Sequence, residues 1–479
     1  MSGPDSPPLR LVVTDYLGPS EAPTANGPRR IDPKAPLANS RLIQAEFEIG
    51  GLRTMYRVQG EFYRFRESHY RLISDDSVHS MVYKWLERQL DSDGKPVKPN
   101  RRMVSDHIDA LRGDVYADVA AVPGWLGKCD EPPAHEFLIL NNGMLHLPSR
   151  EFRQHDPRLF STSALDIDFD YLAPTCTGFL SFLSELFCED QESIEVLQEF
   201  IGYCVLTEET RFQKSLMLVG PKRSGKGTLL RLIADLAGRS NVASPTLGSL
   251  GTTFGLQGLI RARVAIVSDA RISGRSDISA IAENLLRISG EDAISVPRKH
   301  QQDWVGKLPT RFIIATNEIP TMADASAALA SRFLIVRLTR SFYGVEDHGL
   351  SDRLQKELPG ILHWAMEGLD RLMRRGRFVQ PASGLQLVEE MESLSSPHSE
   401  FITDHCIADP AGETPIQALY EKWCDWCRQH GRDHPGTSGD FGKKLRAALP
   451  NITATHPRRN GSRIRCYLGI RLRTAMDIE

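Results

Sequence analysis

Residues 215–228 read Ser215-Leu216-Met217-Leu218-Val219-Gly220-Pro221-Lys222-Arg223-Ser224-Gly225-Lys226-Gly227-Thr228, an apolar run that stops at a basic loop studded with glycine. The run has the length of a buried strand, and beyond the loop Leu229, Leu232, Ile233 and Leu236 recur at three- and four-residue spacing up to Gly238, which predicts a helix and its terminator. Strand, glycine-turned loop and helix in that order make a phosphate cradle. Gly220 and Gly225 let the backbone turn its amides inward, Lys226 brings a point charge to the terminal phosphates of a nucleoside triphosphate, and the helix contributes its positive end. All of Gly220, Pro221, Lys222, Arg223, Ser224, Gly225, Lys226, Gly227 and Thr228 belong to this expected nucleotide segment. Gly227 stands where a hydroxyl residue usually follows the lysine, so Mg²⁺ is expected on Thr228, directly or through water, or on an acid elsewhere.

The 479 residues are 41% hydrophobic and 25% charged, enough to bury several cores, and the length suggests about three domains. A net charge of -3 gives no global field for nucleic acid, so any such binding must use local patches. Eight cysteines are scattered without framework spacing and the N-terminus lacks a basic-then-apolar leader, so a reducing cytoplasm is the expected setting. No apolar run approaches bilayer thickness, which argues against a membrane role.

Composition divides the chain. Residues 1–40 are rich in Pro, Gly, Ser and Ala and read as a disordered tail in which Leu9–Val13 forms at most one short strand. Residues 41–205 have mixed strand and helix patterns, without a paired-acid, nucleophile or metal-ligand signature. From 206 to 345, apolar strand candidates at 215–219, 263–267, 311–316 and 333–338 alternate with helices, the pattern of an α/β fold with a parallel sheet. Residues 346–397 read as a helical linker, and 398–479 as a small last domain.

Ligands of open parallel sheets lie beyond the carboxyl ends of the strands. Asp269, just past Val264–Val267, is placed to hold magnesium or orient water; Asn317, just past Phe312–Thr316, is placed to sense a terminal phosphate. Arg332, ahead of Phe333–Val336, has a planar fork suited to charge developing in phosphoryl transfer, and Arg340 is a second candidate for that role. Singly, each also fits a turn or a surface charge; their order after a phosphate loop favours a shared site.

This order resembles the superfamily 3 helicases, ring motors of viruses, phages and plasmids within the AAA+ group. Gly220–Thr228, Val264–Asp269, Ile288–Asp292 through Arg298-Lys299-His300, Phe312–Pro320, and the spacing Asn317, Pro320, Asp324, Ser326, Arg332 look like the phage and plasmid primase-helicases related to the poxvirus primase-helicase. Weaker likeness extends to Pro123–Leu126, Asn141–Gly143 and Glu357–Gly360. The resemblance implies an AAA+-like motor with a helicase-associated domain at 41–205, working as a hexamer. Lys226 would bind phosphate, Asp269 would handle magnesium or water, Asn317 would sense, and Arg332 would act as a finger in trans. Where the superfamily usually has two adjacent acids, this chain has Ser268-Asp269, so metal ligand and general base are not divided.

The resemblance also places Arg298, Lys299 and His300 on a hairpin that enters the ring channel and meets the backbone of single-stranded DNA without reading bases. From Phe441 to Arg473 there are nine Lys or Arg and no acid, among them Lys443, Lys444, Arg446, Arg458, Arg459 and Arg463. With a helix over 440–449 and a tight turn at Asn460-Gly461, this stretch resembles a winged helix for duplex or forked DNA; a solvated basic surface is the plainer reading. Cys424, Cys427, His430 and His434 suit a packed helix around Trp423 and Trp426 better than zinc. The expectation is an ATP-driven replicative DNA helicase, possible replication proteins being its partners. Its rivals are a nucleotide-switched origin-binding protein and a small-molecule or nucleotide kinase. No primer synthesis is expected, since the first 200 residues show no acid cluster for metal.

Overall fold

Five runs build the central sheet: Ser215–Val219 (β1), Val242–Ala243 (β2), Val264–Val267 (β3), Arg311–Thr316 (β4) and Phe333–Arg337 (β5), all parallel, in the order β2-β3-β4-β1-β5. The computed structural model describes residues 10–11, 27–119, 121–270, 277–299, 302–320, 329–395, 397–430, 435–459, 462–474 and 477. A parallel sheet covered on both faces needs side chains that are apolar in both directions, and β1 meets this with Leu216 and Leu218 in one core and Met217 and Val219 in the other. The expected strands at 263–267 and 333–338 are each one residue shorter, and the two-residue β2 carries too little pattern to be read in advance.

Helices Thr177–Phe187 (α1), Gln191–Ile201 (α2), Lys226–Ala237 (α3) and Leu358–Arg375 (α5) share the first core, while Ile278–Ser289 (α4) supplies Ile281 and Leu285 to the second. This corrects two expected borders. The core around β1 already includes α1 and α2, before residue 206, and α5 packs into it: Leu362, Ala365 and Leu372 are fully buried in the same cluster as β1. α2 and α5 touch so closely that a Cβ on Gly368 would fall 2.5 Å from the Gln198 carbonyl oxygen. Glu199, fully buried on α2, accepts from Arg371 Nε at 2.7 Å and from Arg375, a charge pairing that burial requires.

The N-terminal part holds an antiparallel sheet of Met55–Val58, Glu61–Arg66 and His69–Ile73, packed with helices Pro36–Ala45, Asp75–Glu87 and Arg101–Asp114 around Val82, Trp85, Leu86 and Leu111. The helix starting at Pro36, and Asn39 bonded to the Asp32 carbonyl at 2.8 Å and to His107 at 3.0 Å, correct the expected tail: order begins before residue 40. Arg10–Leu11 forms a short strand parallel to Glu151-Phe152.

His69, on the third of these strands, is pushed down to about 4 by burial and then by the Arg71 charge. An unfolded chain takes up this proton near pH 6.5 and the folded chain only near pH 4, so stability is complete above 6.5 and declines as pH falls through that window. After discounting for partial exposure the expected loss is about 2 kcal/mol. Melting wild type and His69→Gln at pH 5 and pH 7.5 should show the variant losing less on acidification; equal losses would remove His69 from the account.

At the C-terminal end, Pro397–His405 (α6), strand Cys406–Pro415, Ile416–Gln429 (α7), Ser438–Ala448 (α8), strand Thr453–Thr455 and strand Cys466–Leu472 follow one another, the last strand lying antiparallel between the other two. Trp423 and Trp426 stack at 5.3 Å, with His398 on Trp423 and His430 on Trp426, each at 4.2 Å. His430 is thus a packed ring, His434 lies outside the described residues, and among the described residues no group of three or more His, Cys, Asp or Glu could hold a metal ion.

Candidate functional site

The loop after β1 is shaped by contacts that tolerate only glycine at its two ends. A Cβ on Gly220 would lie 2.6 Å from the Leu338 carbonyl oxygen, where the loop passes the end of β5. Gly225 has φ of +85° and a Cβ there would lie 2.6 Å from Leu186 Cδ1 on α1. Between them Arg223 is also left-handed, at φ 60°, held by the Phe342 amide donating to its carbonyl oxygen at 2.8 Å; Ser341 Oγ donates to the Lys222 carbonyl oxygen at 3.0 Å. The segment after β5 therefore straps the loop, and the loop delivers the chain into α3 at Lys226.

Lys226 Nζ spans the loop, donating to the carbonyl oxygens of Gly220 at 2.7 Å and Pro221 at 2.8 Å and to Ser224 Oγ at 3.0 Å, with Asn317 Oδ1 at 3.4 Å. Partial burial holds its ammonium below the ordinary lysine range. No carboxylate is among these partners, so its positive charge is solvated by neutral oxygens, an arrangement suited to an incoming anion. Thr228 Oγ1 accepts from Arg231 at 3.2 Å. Arg231 escaped the sequence reading although it stands three residues after Thr228, the spacing that brings helix side chains together.

Loop, α1 and the segment 342–357 enclose a cavity of about 960 Å³, within the range of small-molecule sites. Phe182, Phe342 and Leu350 give it an apolar wall; Lys226, Thr228 and Asn317 line its polar end. Glu357 joins the two walls: its carboxylate accepts from the Gly178 amide at 3.1 Å and the Phe179 amide at 2.9 Å, capping α1, whose own N-cap residue offers no side-chain bond. A Cβ on Gly360 would meet the Pro174 carbonyl oxygen at 2.4 Å. The Glu357–Gly360 stretch is thus a packing joint. Asn142 is another, bonding both the carbonyl oxygen and the amide of Phe169, at 2.9 and 2.8 Å.

Sheet register brings Asp269 and Asn317 to the same edge as the loop. Val267 pairs with Ile314 and Val219 with Thr316, and β4 lies between β3 and β1, so Asn317 leaves the sheet between Asp269 and the loop. Asp269 is exposed there and is not part of the cavity lining. Arg332 is elsewhere. It precedes Phe333, which pairs with Ser215 at the start of β1, and its carbonyl oxygen accepts from the Ser215 amide at 2.8 Å. The five residues of β1, about 16 Å of strand, separate it from its own loop. Its guanidinium donates to Gln213. Arg340, at the loop's own edge, lies 3.9 Å from Glu185 and 4.8 Å from the Phe342 ring centroid, so geometry distinguishes the two arginines that sequence left unranked.

Ile294–Val296 and Trp304–Gly306 form the expected hairpin. Lys299 is exposed, its Nζ 5.7 Å from the Phe254 ring centroid; His300 lies outside the described residues, as do Asp324 and Ser326. Arg298 is not presented to solvent but paired with Glu61 at 3.1 Å. On α8, Lys443, Lys444 and Arg446 are exposed, and Arg458 and Arg463 are exposed on a hairpin of Arg458–Arg459 with Ser462–Arg463, whose Asn460-Gly461 tip lies outside the described residues along with the Arg459 side chain. Two residues of the basic block serve the fold instead: Arg471 binds Asp477 at 2.7 Å and Asp409 at 3.3 Å, and Arg473 Nε donates to the Cys406 carbonyl oxygen at 3.3 Å. Among the described residues no helix is long and apolar enough to cross a membrane.

A family model described as a family of unknown function (DUF5906) matches residues 218–332, from the loop strand to Arg332. Among solved structures, the chain is similar to apo forms of the C-terminal region of NrS-1. One has 14% identity and a TM-score of 0.53 over 91% of this chain and 99% of that one. Another has 13% identity and a TM-score of 0.51 over 91% of this chain and 100% of that one. At such identities the likeness is one of fold, and it runs through nearly the whole chain.

Proposed function

We propose that the chain is an ATP-driven DNA helicase serving the replication of a phage or mobile element, an AAA+ motor of the superfamily 3 kind that works as a hexameric ring on single-stranded DNA. One observation carries this reading: Lys226 lies beyond the carboxyl ends of the parallel strands and Arg332 at their amino ends. A protomer then holds phosphates at one end of the strands and offers a guanidinium at the other, so head-to-tail association completes each cleft with a neighbour's arginine. Lys226 binds phosphate, Asn317 senses the terminal phosphate beside it, and Arg332 is the finger in trans. The likeness to the NrS-1 C-terminal region is one of fold and is compatible with this architecture.

Magnesium on a nucleoside triphosphate takes most of its ligands from phosphate and water. One hydroxyl and one carboxylate are enough, and Thr228 in the cleft and Asp269 at the same edge fit that demand. The ion would supply charge neutralisation on the phosphates. The order helix, strand, helix, helix, then a strand, a short hairpin and a final strand, supports a winged helix at the C-terminal end, with exposed Lys443, Lys444, Arg446, Arg458 and Arg463 facing forked DNA.

The test is ATP hydrolysis by the purified full chain with and without single-stranded oligonucleotide, beside displacement of a strand from a forked duplex. Stimulated turnover with strand displacement is expected. ATP binding without turnover or displacement would favour the origin-binding switch, and transfer of the phosphoryl group to a nucleotide acceptor would favour the kinase.

A further inference from the structure

Arg298, the first basic residue of the hairpin, is turned back against the N-terminal sheet. Its Nη1 lies 3.1 Å from Glu61 Oε1, its Nε donates to the Gln302 carbonyl oxygen at 2.8 Å, and its side chain is only 17% exposed. Glu61 sits at the start of strand Glu61–Arg66 and is also bonded by Arg261 and by the Tyr63 hydroxyl, the latter at 3.1 Å. One carboxylate therefore answers two guanidiniums that come from different parts of the motor.

The crevice around this triad has a volume of about 280 Å³ and also takes in Arg263, Lys307 and Glu208. Arg263 is already matched by Glu208 at 3.2 Å, while Lys307 is exposed, so four cations face two carboxylates and the surplus charge is positive. Aromatic surface lies beside it in the half-buried Trp304, while Tyr63 is buried beneath the Arg261 guanidinium. Guanidinium pairs bind a phosphodiester in the same planar, two-point manner as a carboxylate, and a surplus of cations with an aromatic platform is the chemistry that holds a single strand.

We propose that the crevice between strand Glu61–Arg66 and the hairpin is a binding site for single-stranded DNA backbone, in which the Glu61 carboxylate occupies the place a phosphate takes on Arg261 and Arg298. Entry of the strand exchanges one anion for another, so the guanidiniums stay paired while the N-terminal sheet is released from the hairpin. This rests on the reading of the hairpin as a DNA-contacting element and adds to it the residues Glu61, Arg261 and Lys307, none of which lies on the basic tip.

The experiment titrates a fluorescein-labelled oligo-dT with the full-length protein across a range of salt, comparing wild type, Glu61→Gln, Arg261→Ala and Lys299→Ala. Competition predicts opposite signs. Glu61→Gln should tighten binding about fivefold, and Arg261→Ala should weaken it and lower the slope of log affinity against log salt by about one. A variant that merely loosened domain packing would move both in the same direction, and that result would overturn the proposal, as would unchanged affinity for Glu61→Gln with its melting temperature retained. If Lys299→Ala weakens binding while Glu61→Gln and Arg261→Ala match wild type, the hairpin reading stands and this site is wrong. If wild type binds no oligonucleotide even at low salt, both readings are wrong.

Discussion

Replacing Lys226 with alanine is expected to lower ATP turnover by about 10²-fold or more and to abolish detectable nucleotide binding at concentrations that saturate wild type. The reasoning starts from its partners. The ammonium is held by the carbonyl oxygens of Gly220 and Pro221 and by Ser224 Oγ, none of them charged, and burial already disfavours its protonated form. Such a cation gains more from a phosphate than from the oxygens it leaves. Alanine removes it without touching Gly220 or Gly225, whose glycine requirement sets the course of the loop. Thermal melting should therefore stay within about 1 kcal/mol of wild type, since the lost side chain is only partly buried. Equilibrium titration with a fluorescent ATP analogue measures the binding, and wild-type affinity in this variant would remove Lys226 from the site.

The second large effect concerns Arg332. Arg332→Ala is expected to bind nucleotide normally and to lose about 10²-fold or more in turnover, because an arginine that stabilises charge in phosphoryl transfer acts on the transition state rather than on the bound ground state. The lengthwise separation of Arg332 from its own loop makes a cis role impossible without refolding β1. Mixing Lys226→Ala and Arg332→Ala proteins should then restore activity, because a junction with an intact loop on one side and an intact arginine on the other arises in about a quarter of random head-to-tail contacts. Full turnover by Arg332→Ala alone, or no recovery on mixing with subunit exchange demonstrated, would end the shared-site reading. Loss of its bond to Gln213 is the competing structural explanation. Gln213→Ala tests that: it should retain turnover if Arg332 acts on nucleotide rather than holding its own neighbour.

The strands of the central sheet were legible because a strand covered on both faces has to be apolar at consecutive positions, and Leu216–Val219, Val264–Val267 and Phe312–Ala315 satisfy that locally. The loop was legible because its glycines and lysine stand between an apolar run and a helical pattern, although the contacts that demand glycine at 220 and 225 come from Leu338 and Leu186, far away in sequence. Borders were less so. Residues 36–40 look like tail composition, yet Asn39 is buried against His107, and α5 looks like a connector until Leu362 and Leu372 are seen in the core of β1. Burial of this kind is a tertiary fact. The same holds for charge. Nothing about Arg298 in its own neighbourhood announces a partner 237 residues earlier, and Glu61 carries no motif. The two candidate fingers were separable only by which end of β5 each one occupies.

Glu357 gives the cleft a mechanical character. By gripping the first amides of α1 from the base of α5, it couples the wall that borders the phosphate loop to the long helix whose buried face contacts α2. Whatever shifts one wall is felt at the other through this single carboxylate, a linkage built entirely within one subunit.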